Sequence, residues 1–391
     1  MRSLLLLAAA LLVLGCTDRT PSGIFSNQLL KPVDGPPFGV ASPPGVTVLT
    51  WNVYYGTDPT PLLTTPADQV PFVAASVWGL VQQTNFPARA GALAQAIAAQ
   101  RPHLVGVEEA AIYRLQRPGD LAFGGTQPAT QVVYDFLALL ADSLAARGLH
   151  YVIAAADSTT DIELPVITGV DPATGIPTFD DVRLTDRDAV LARADVQIAN
   201  PRHATYAAFI PVSIGGAQTG VYEGWSSVEA TVSGRTIRFI DTHLETQDAL
   251  PVQLGQAQEL LALLQNESLP TILAGDFNSD VYGQDPTRAT PSYGMITGAG
   301  FADSWLRPGP VPAGLTCCQR ETLDNPVAAF NQRIDFIFTR NMPSEMQVIG
   351  RAVVGAAAAD RTPAGLWASD HGGVVATFVI PTARLADVAV K

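Results

Sequence analysis

Apolar and polar positions follow two rhythms along this chain. Runs rich in apolar and β-branched residues mark strands: "VTVLTWNV" (46–53), "HLVGVEE" (103–109), "YVIAAA" (151–156), "AVLAR" (189–193) and "RIDFIF" (333–338). In "SSVEATVSGRTIRFIDTH" (226–243) two such runs flank Ser233-Gly234, which predicts a hairpin. A period near 3.6 marks helices. "FPARAGALAQAIAAQ" (86–100) puts Phe86, Ala90, Leu93 and Ile97 on one face. "TQVVYDFLALLADSLAARG" (130–148) reads as a helix closed by Gly148. "VQLGQAQELLALLQNE" (252–267) reads as an amphipathic helix leading into the strand of "TILAGDFNSD" (271–280). Many strands with interspersed helices predict an α+β fold of layered sheets.

The ends of the chain break this rhythm. After Arg2 and Ser3, "LLLLAAALLVLG" is an apolar run of 12 residues before Cys16. It is too short to span a bilayer and has the layout of a signal peptide, residues 1–15. The end "VLGC" resembles a bacterial lipobox, which implies cleavage before Cys16 and a lipid on that cysteine. Residues 17–45 hold 6 Pro and 4 Gly, so 16–45 reads as an extended tether. The expected location is the cell envelope, lipid-anchored at the outer membrane or periplasmic face. Length allows two domains. With no repeat and no second linker, one large domain is expected over 46–381, with a tail at 382–391.

Charge narrows the partners. The 391 residues carry a net −13, with no basic patch of the kind that binds nucleic acid. An acidic surface repels polyanions at long range, although a cation-loaded site can still take phosphate. Beyond Cys16 there are only Cys317 and Cys318, adjacent in the chain. They make either a strained vicinal bridge or two free thiols. A zinc site is not expected, because no Cys or His partner stands at ligand spacing.

The candidate chemistry sits where strands begin and stop. "VLTWN" ends in Asn52 and "HLVGVEE" in Glu108 and Glu109. "RFIDTH" ends in His243, and "ILAGDFN" in Asp276 and Asn278. "QRIDFIF" carries Asp335, and "ASDHGGVVATF" enters its strand through Asp370 and His371. Each has a structural reading too: Asn52 and Asp276 as turn residues, Glu109 and Asp370 as caps, His243 as a core histidine, Asp335 paired with Arg333 or Arg340. On strand geometry Asp276 and Asn278, two apart, project the same way.

Taken in order, "WNV", "GVEE", "DTHL", "GDFN", "RIDFIF" and "SDH" resemble the endonuclease/exonuclease/phosphatase superfamily, across about residues 46–380. "RDAVLAR" (187–193) is similar to a further strand of that family. The resemblance implies a four-layer α/β/β/α sandwich of two packed mixed sheets flanked by helices, with the site at one rim. It implies a divalent-metal-dependent hydrolase of phosphoester bonds. A nuclease acting on DNA or RNA, or a non-catalytic binding module on the same fold, are the alternatives. Glu109, with help from Asn52, and Asp370 would be the metal side, for Mg²⁺ or else Mn²⁺ or Ca²⁺, all of which suit hard oxygen ligands. Asp276 would orient or deprotonate the attacking water and Asn278 would position it or the phosphate. His371, held by Asp335, would serve as acid, base or charge-neutralising group, and His243 would donate to a phosphoryl oxygen. The implied substrate is a lipid head group, sugar phosphate, nucleotide or nucleic acid, and a monomer is expected.

Two departures stand out. The family commonly has Gln-Glu where this chain has Glu108-Glu109, which leaves the part played by Glu108 open. Segment 56–85 is longer than usual and carries Phe72, Val73, Val77 and Trp78. It is either a flap packed on the core or an apolar lip over the site. His103, His150 and His203 are expected to be structural or exposed; Asp186, Arg187 and Asp188 could approach the site, but a solvated loop is the expected reading for them.

Overall fold

The computed structural model describes residues 45–214, 217–283, 285–306, 313–344 and 346–379. The signal peptide, Cys16, the tether up to residue 44 and the tail lie outside them. Numbered along the chain, the strands are β1 (Gly45–Asn52), β2 (Leu104–Glu108), β3 (Ile112–Gln116), β4 (Gln131–Asp135), β5 (Tyr151–Ala156) and β6 (Asp161–Val170). There follow β7 (Pro177–Thr185), β8 (Ala189–Arg193), β9 (Gln197–Thr205), β10 (Ile210–Ile214), β11 (Ala217–Val221) and β12 (Gly224–Val232). The last are β13 (Arg235–His243), β14 (Thr271–Asp276), β15 (Ala302–Asp303), β16 (Asp335–Arg340), β17 (Val348–Val354) and β18 (Gly373–Val379). The helices are α1 (Val70–Gln83), α2 (Phe86–Gln100), α3 (Phe136–Ala145), α4 (Leu250–Leu264) and α5 (Pro291–Gly298).

Two six-stranded mixed sheets form the centre, in the orders β17-β18-β1-β2-β8-β5 and β15-β16-β14-β13-β12-β9. Their inner faces meet through Val48, Val190, Phe239, Ile272 and Phe378, all buried. This explains why β1, β2 and β14 are apolar on both faces: one face meets the other sheet and one meets helices. The outer face of the first sheet is covered by α1, α2 and α3, with Phe86 stacked on Phe136 at 3.5 Å. The outer face of the second is covered by α4 and α5, through Leu260 and Ile296 against Leu273, Phe277 and Phe336. The α/β/β/α sandwich expected from the resemblance is therefore present.

Ser233 and Gly234 both hold positive φ, +51° and +77°, as the tight turn between β12 and β13 requires. The helix expected over 130–148 is shorter. Val132, Val133 and Tyr134 lie in β4, paired with β3, and α3 starts at Phe136. Asp135 caps it by accepting from the Ala138 N–H at 3.2 Å. Helical spacing over 130–135 lost to a strand partner that exists only in the tertiary fold. A four-stranded sheet, β4-β3-β7-β6, and the hairpin β10–β11 were also not foreseen. Within segment 56–85, Val70–Gln83 form α1 and Thr60–Thr64 a short 3-10 turn. Trp78 and Val81 face the core and Phe72 is exposed.

Candidate active site

Three neighbouring strands of the second sheet carry polar groups in line. His243 closes β13, Asp276 closes β14 and Asp335 opens β16, and the pairing sets His243 beside Asp276 and Asp276 beside Asp335. From the first sheet, β1 ends at Asn52, β2 runs into Glu109, and Asp370 and His371 precede β18. Sheet-on-sheet packing brings the two sets together. Asn52 Nδ2 lies 2.9 Å from Glu109 Oε1 and 3.3 Å from Asp276 Oδ2, so one amide braces carboxylates from both sheets. Its Oδ1 accepts from the Tyr54 N–H at 2.9 Å. Glu109 Oε2 accepts from the Tyr55 N–H at 2.8 Å.

The backbone at these strand ends is unusual. Gly275 has φ +144°, and a Cβ there would stand 1.8 Å from the Thr242 carbonyl oxygen. Only glycine lets β14 lie this close to β13 just before Asp276. Tyr54, Glu109 and Asn278 sit in the left-handed region at φ +64°, +59° and +47°. Such residues cost roughly 1–3 kcal/mol each and persist where surrounding contacts hold them. For Asn278 those contacts are its N–H to Asp276 Oδ1 at 2.9 Å, and Nδ2 to the Leu244 carbonyl at 2.8 Å and to His243 Nε2 at 3.2 Å. Asp276 and Asn278 line the same cavity, as expected. They do so because the chain turns after Asp276, not because the strand continues.

Asp335 pairs with His371 Nδ1 at 3.0 and 3.1 Å, not with Arg333, which bonds Asp303. His371 Nδ1 also lies 3.8 Å from Asp276 Oδ2. Burial pulls His371 down, but the carboxylates of Asp335, Asp370 and Asp276 outweigh it and hold the imidazole cationic, well above its ordinary pKa. His243 behaves oppositely. Burial, with the charge of His371, drives it down to about 3. Glu223 lies 3.4 Å from its Nδ1. Burial and the nearby Asp186 carboxylate raise Glu223 well above the usual carboxylate range. The site thus holds one cationic and one neutral imidazole at neutral pH. Asp276 is raised by burial and by Asp335, and Glu109 is pushed up to about 8 by burial and by Asp370.

All of the expected site residues line or brace one cavity of about 710 Å³. Among its lining residues are nine carboxylates and one arginine, Arg288. A phosphate entering such a cavity needs a cation to offset that charge. Glu109 and Asp370 are hard oxygen donors, with Asp370 close enough to raise Glu109, and they suit a divalent ion of the magnesium or calcium kind. Glu108 points elsewhere. It is fully buried, accepts from the Thr50 hydroxyl and pairs with Asp241 between the sheets.

Several residues at the site escaped the sequence reading. Arg89 is fully buried and donates to the carbonyls of Val53, Tyr54, Thr84 and Ala368, so it ties the loop after β1 to the segment before Asp370. A charge beside the apolar stripe of α2 was its signal. Asp186 and Asp188 do not form a solvated loop. Both are buried, and Asp186 lines the cavity beside Glu223 and Tyr55. The sulfurs of Cys317 and Cys318 are joined, and both residues line the cavity. His371 comes within 4.8 Å of them, a neighbour that spacing did not reveal, but bonded sulfurs are not thiolate ligands. His103 accepts from the Thr47 N–H, and His150 and His203 are exposed, all away from the cavity.

Solved structures with similar architecture include an endonuclease/exonuclease/phosphatase family protein from Leptotrichia buccalis C-1013-b. It is 16% identical with a TM-score of 0.47, over 86% of this chain and 100% of that one. A second, an endonuclease/exonuclease/phosphatase from Beutenbergia cavernae DSM 12333, is 19% identical with a TM-score of 0.48, over 88% and 73%. A mannosyl-6-phosphatase from Bacteroides thetaiotaomicron VPI-5482 is 18% identical with a TM-score of 0.44, over 86% and 100%. No curated protein sequence matches the chain. Residues 49–371 match the Endonuclease/Exonuclease/phosphatase family, from the strand of Asn52 to His371 itself, and the chain belongs to that family.

Proposed function

We propose that this chain is a divalent-metal-dependent hydrolase of phosphoester bonds. The observation that carries the reading is the meeting of Asp276, the Asp335–His371 pair, His243, Asn278, Glu109 and Asp370 at one cavity. Glu109 and Asp370 would hold the cation, with Asn52 bracing Glu109. When bound, the cation supplies charge neutralisation and polarises a phosphoryl oxygen.

The residues divide the remaining work. Asp276 is buried beside Asp335, which makes it a stronger base than an exposed carboxylate, and it takes the proton of the attacking water. Asn278 orients that water or the phosphate. His371, kept cationic by Asp335, offsets charge on the phosphoryl oxygens and can protonate the leaving oxygen as the P–O bond breaks. His243, neutral, accepts from Asn278 Nδ2 through its Nε2 and so fixes the Asn278 amide at the site. The acidic cavity favours small or lipid phosphoesters over nucleic acid, because a polyanion carries charge far beyond the site.

We also propose that a lipid on Cys16 holds the enzyme in the cell envelope, with the 16–45 segment as spacer and the protein acting as a monomer. Hydrolysis is tested with bis-p-nitrophenyl phosphate, DNA, sphingomyelin and inositol phosphates. Activity with Mg²⁺ or Mn²⁺ that EDTA abolishes is expected. Full activity in chelator, with no metal by elemental analysis, overturns the mechanism. Cys16→Ser is expected to release the protein from membranes in fractionation, and retention there overturns the anchor.

A further inference from the structure

The polar site occupies only one end of its cavity. Much of the remaining lining is aliphatic and comes from parts of the chain outside the two central sheets, with Thr57, Asp58, Thr160, Gln247, Asp248 and Glu321 also bordering the cavity. The inserted segment supplies Leu62, Val77 and Trp78. The four-stranded sheet supplies Leu164, Val182 and Leu184. The hairpin adds Ile210 and Val221. Val77, Leu164, Val182, Leu184, Ile210 and Val221 are only half-buried. They belong to packed clusters and yet leave part of their surface turned to the cavity. Three separate additions thus converge to build an apolar chamber that opens onto Asp276 and His371.

From this arrangement we infer that the substrate is a phosphoester carrying a long alkyl or acyl arm, and that the arm occupies the chamber while the phosphate sits at the polar end. The inference rests on the phosphoester reading above and names the substrate class within it. At roughly 30 Å³ per liquid-packed non-hydrogen atom, the share a water molecule takes, the cavity of about 710 Å³ holds on the order of twenty such atoms beyond a phosphate group. That is the size of a lipid-like arm. The aliphatic stretch formed by Val77, Leu164, Val182, Leu184, Ile210 and Val221 offers no partners to the hydroxyls of a sugar or the edges of a base, and burying those groups unpaired is costly. It fits a hydrocarbon, and the phosphate is left for the end where Glu109 and Asp370 would hold a cation.

The test is a binding series that needs no turnover. The full-length protein with Mg²⁺ is titrated calorimetrically with n-alkyl phosphonates of two, six, ten and fourteen carbons, each below its micelle concentration. At about 0.8 kcal/mol per buried methylene, affinity is expected to rise roughly four-fold per carbon and to level off once the chamber is full. A flat series overturns the inference. Val77→Trp is expected to bring the plateau to a shorter chain and leave ethylphosphonate binding unchanged. If that variant does not fold, the wild-type series still decides. The decyl compound, offered as monomer and in phosphatidylcholine vesicles, separates a soluble amphiphile from a membrane lipid. Binding in either form supports the chamber and binding in neither overturns it. Hydrolysis of p-nitrophenyl ethyl phosphate with a flat binding series removes the arm and keeps the hydrolase. A steep series with no phosphoester hydrolysed at any length keeps the chamber and removes the hydrolase.

Discussion

Arg89 offers the sharpest test of how the site is held. Its guanidinium is fully buried and makes hydrogen bonds of 3.0, 2.7, 3.0 and 3.0 Å to the carbonyls of Thr84, Val53, Ala368 and Tyr54. It also lies over the Phe86 ring at 4.8 Å. Burial lowers it only to about 10, so it is cationic at neutral pH. Arg89→Met keeps much of the volume and removes every donor, leaving four carbonyls to find partners. Hydrogen bonds from a charged donor are worth about 1.5–3 kcal/mol each. One cation makes all four, so they do not add. A buried acceptor left without a donor typically costs about 1–3 kcal/mol, and a loss of at least that size is expected in urea unfolding followed by tryptophan fluorescence. Arg89→Lys keeps the charge but lacks the planar fork, and about half of the loss is expected to return. Because Val53 follows Asn52 and Ala368 precedes Asp370 by two residues, turnover should fall in both variants. An Arg89→Met midpoint within about 0.5 kcal/mol of wild type would refute the clamp.

Asp276→Asn should fold normally and lose roughly 10²–10⁴-fold in turnover. His371→Ala should lose a similar amount and the double variant less than their product. An unchanged rate in Asp276→Asn returns "GDFN" to a strand-ending turn. Gly275→Ala drives a methyl to 1.8 Å from the Thr242 oxygen, and a loss above about 2 kcal/mol is expected in thermal melts; a melt like wild type shows that the two strands can part freely. Burial raises Glu108 from 4.5 to about 7, so the folded state keeps a proton that the unfolded chain releases. Stability should then be complete below pH 4.5 and fall by up to ~3 kcal/mol as pH rises to about 7. Glu108→Gln should lessen that slope, and identical slopes in the two proteins would count against the buried carboxyl pair.

The local pattern determined much of this protein. The apolar runs of 46–53, 189–193 and 271–274 can bury both faces only inside a layered sheet, and "SG" between two strands permits the turn that is present. The polar groups at strand ends were also legible, because six such segments in order carry a resemblance that no one of them carries alone. What the sequence could not hold was their meeting. Asn52 and Asp276 stand 224 positions apart and come within 3.3 Å because two sheets pack face to face. Opposite charge states for His371 and His243 follow from neighbours on other strands, and no local pattern carries them. The same is true of Arg89, whose partners are backbone carbonyls, and of Asp186, which reads as loop and is buried. The apolar chamber is the clearest case. Its walls come from α1, from strands of a third sheet and from a hairpin, each of which looks on its own like an ordinary amphipathic element. Periodicity reports which face of an element avoids water, but only the tertiary fold decides whether that face meets protein or an empty space shaped for something else.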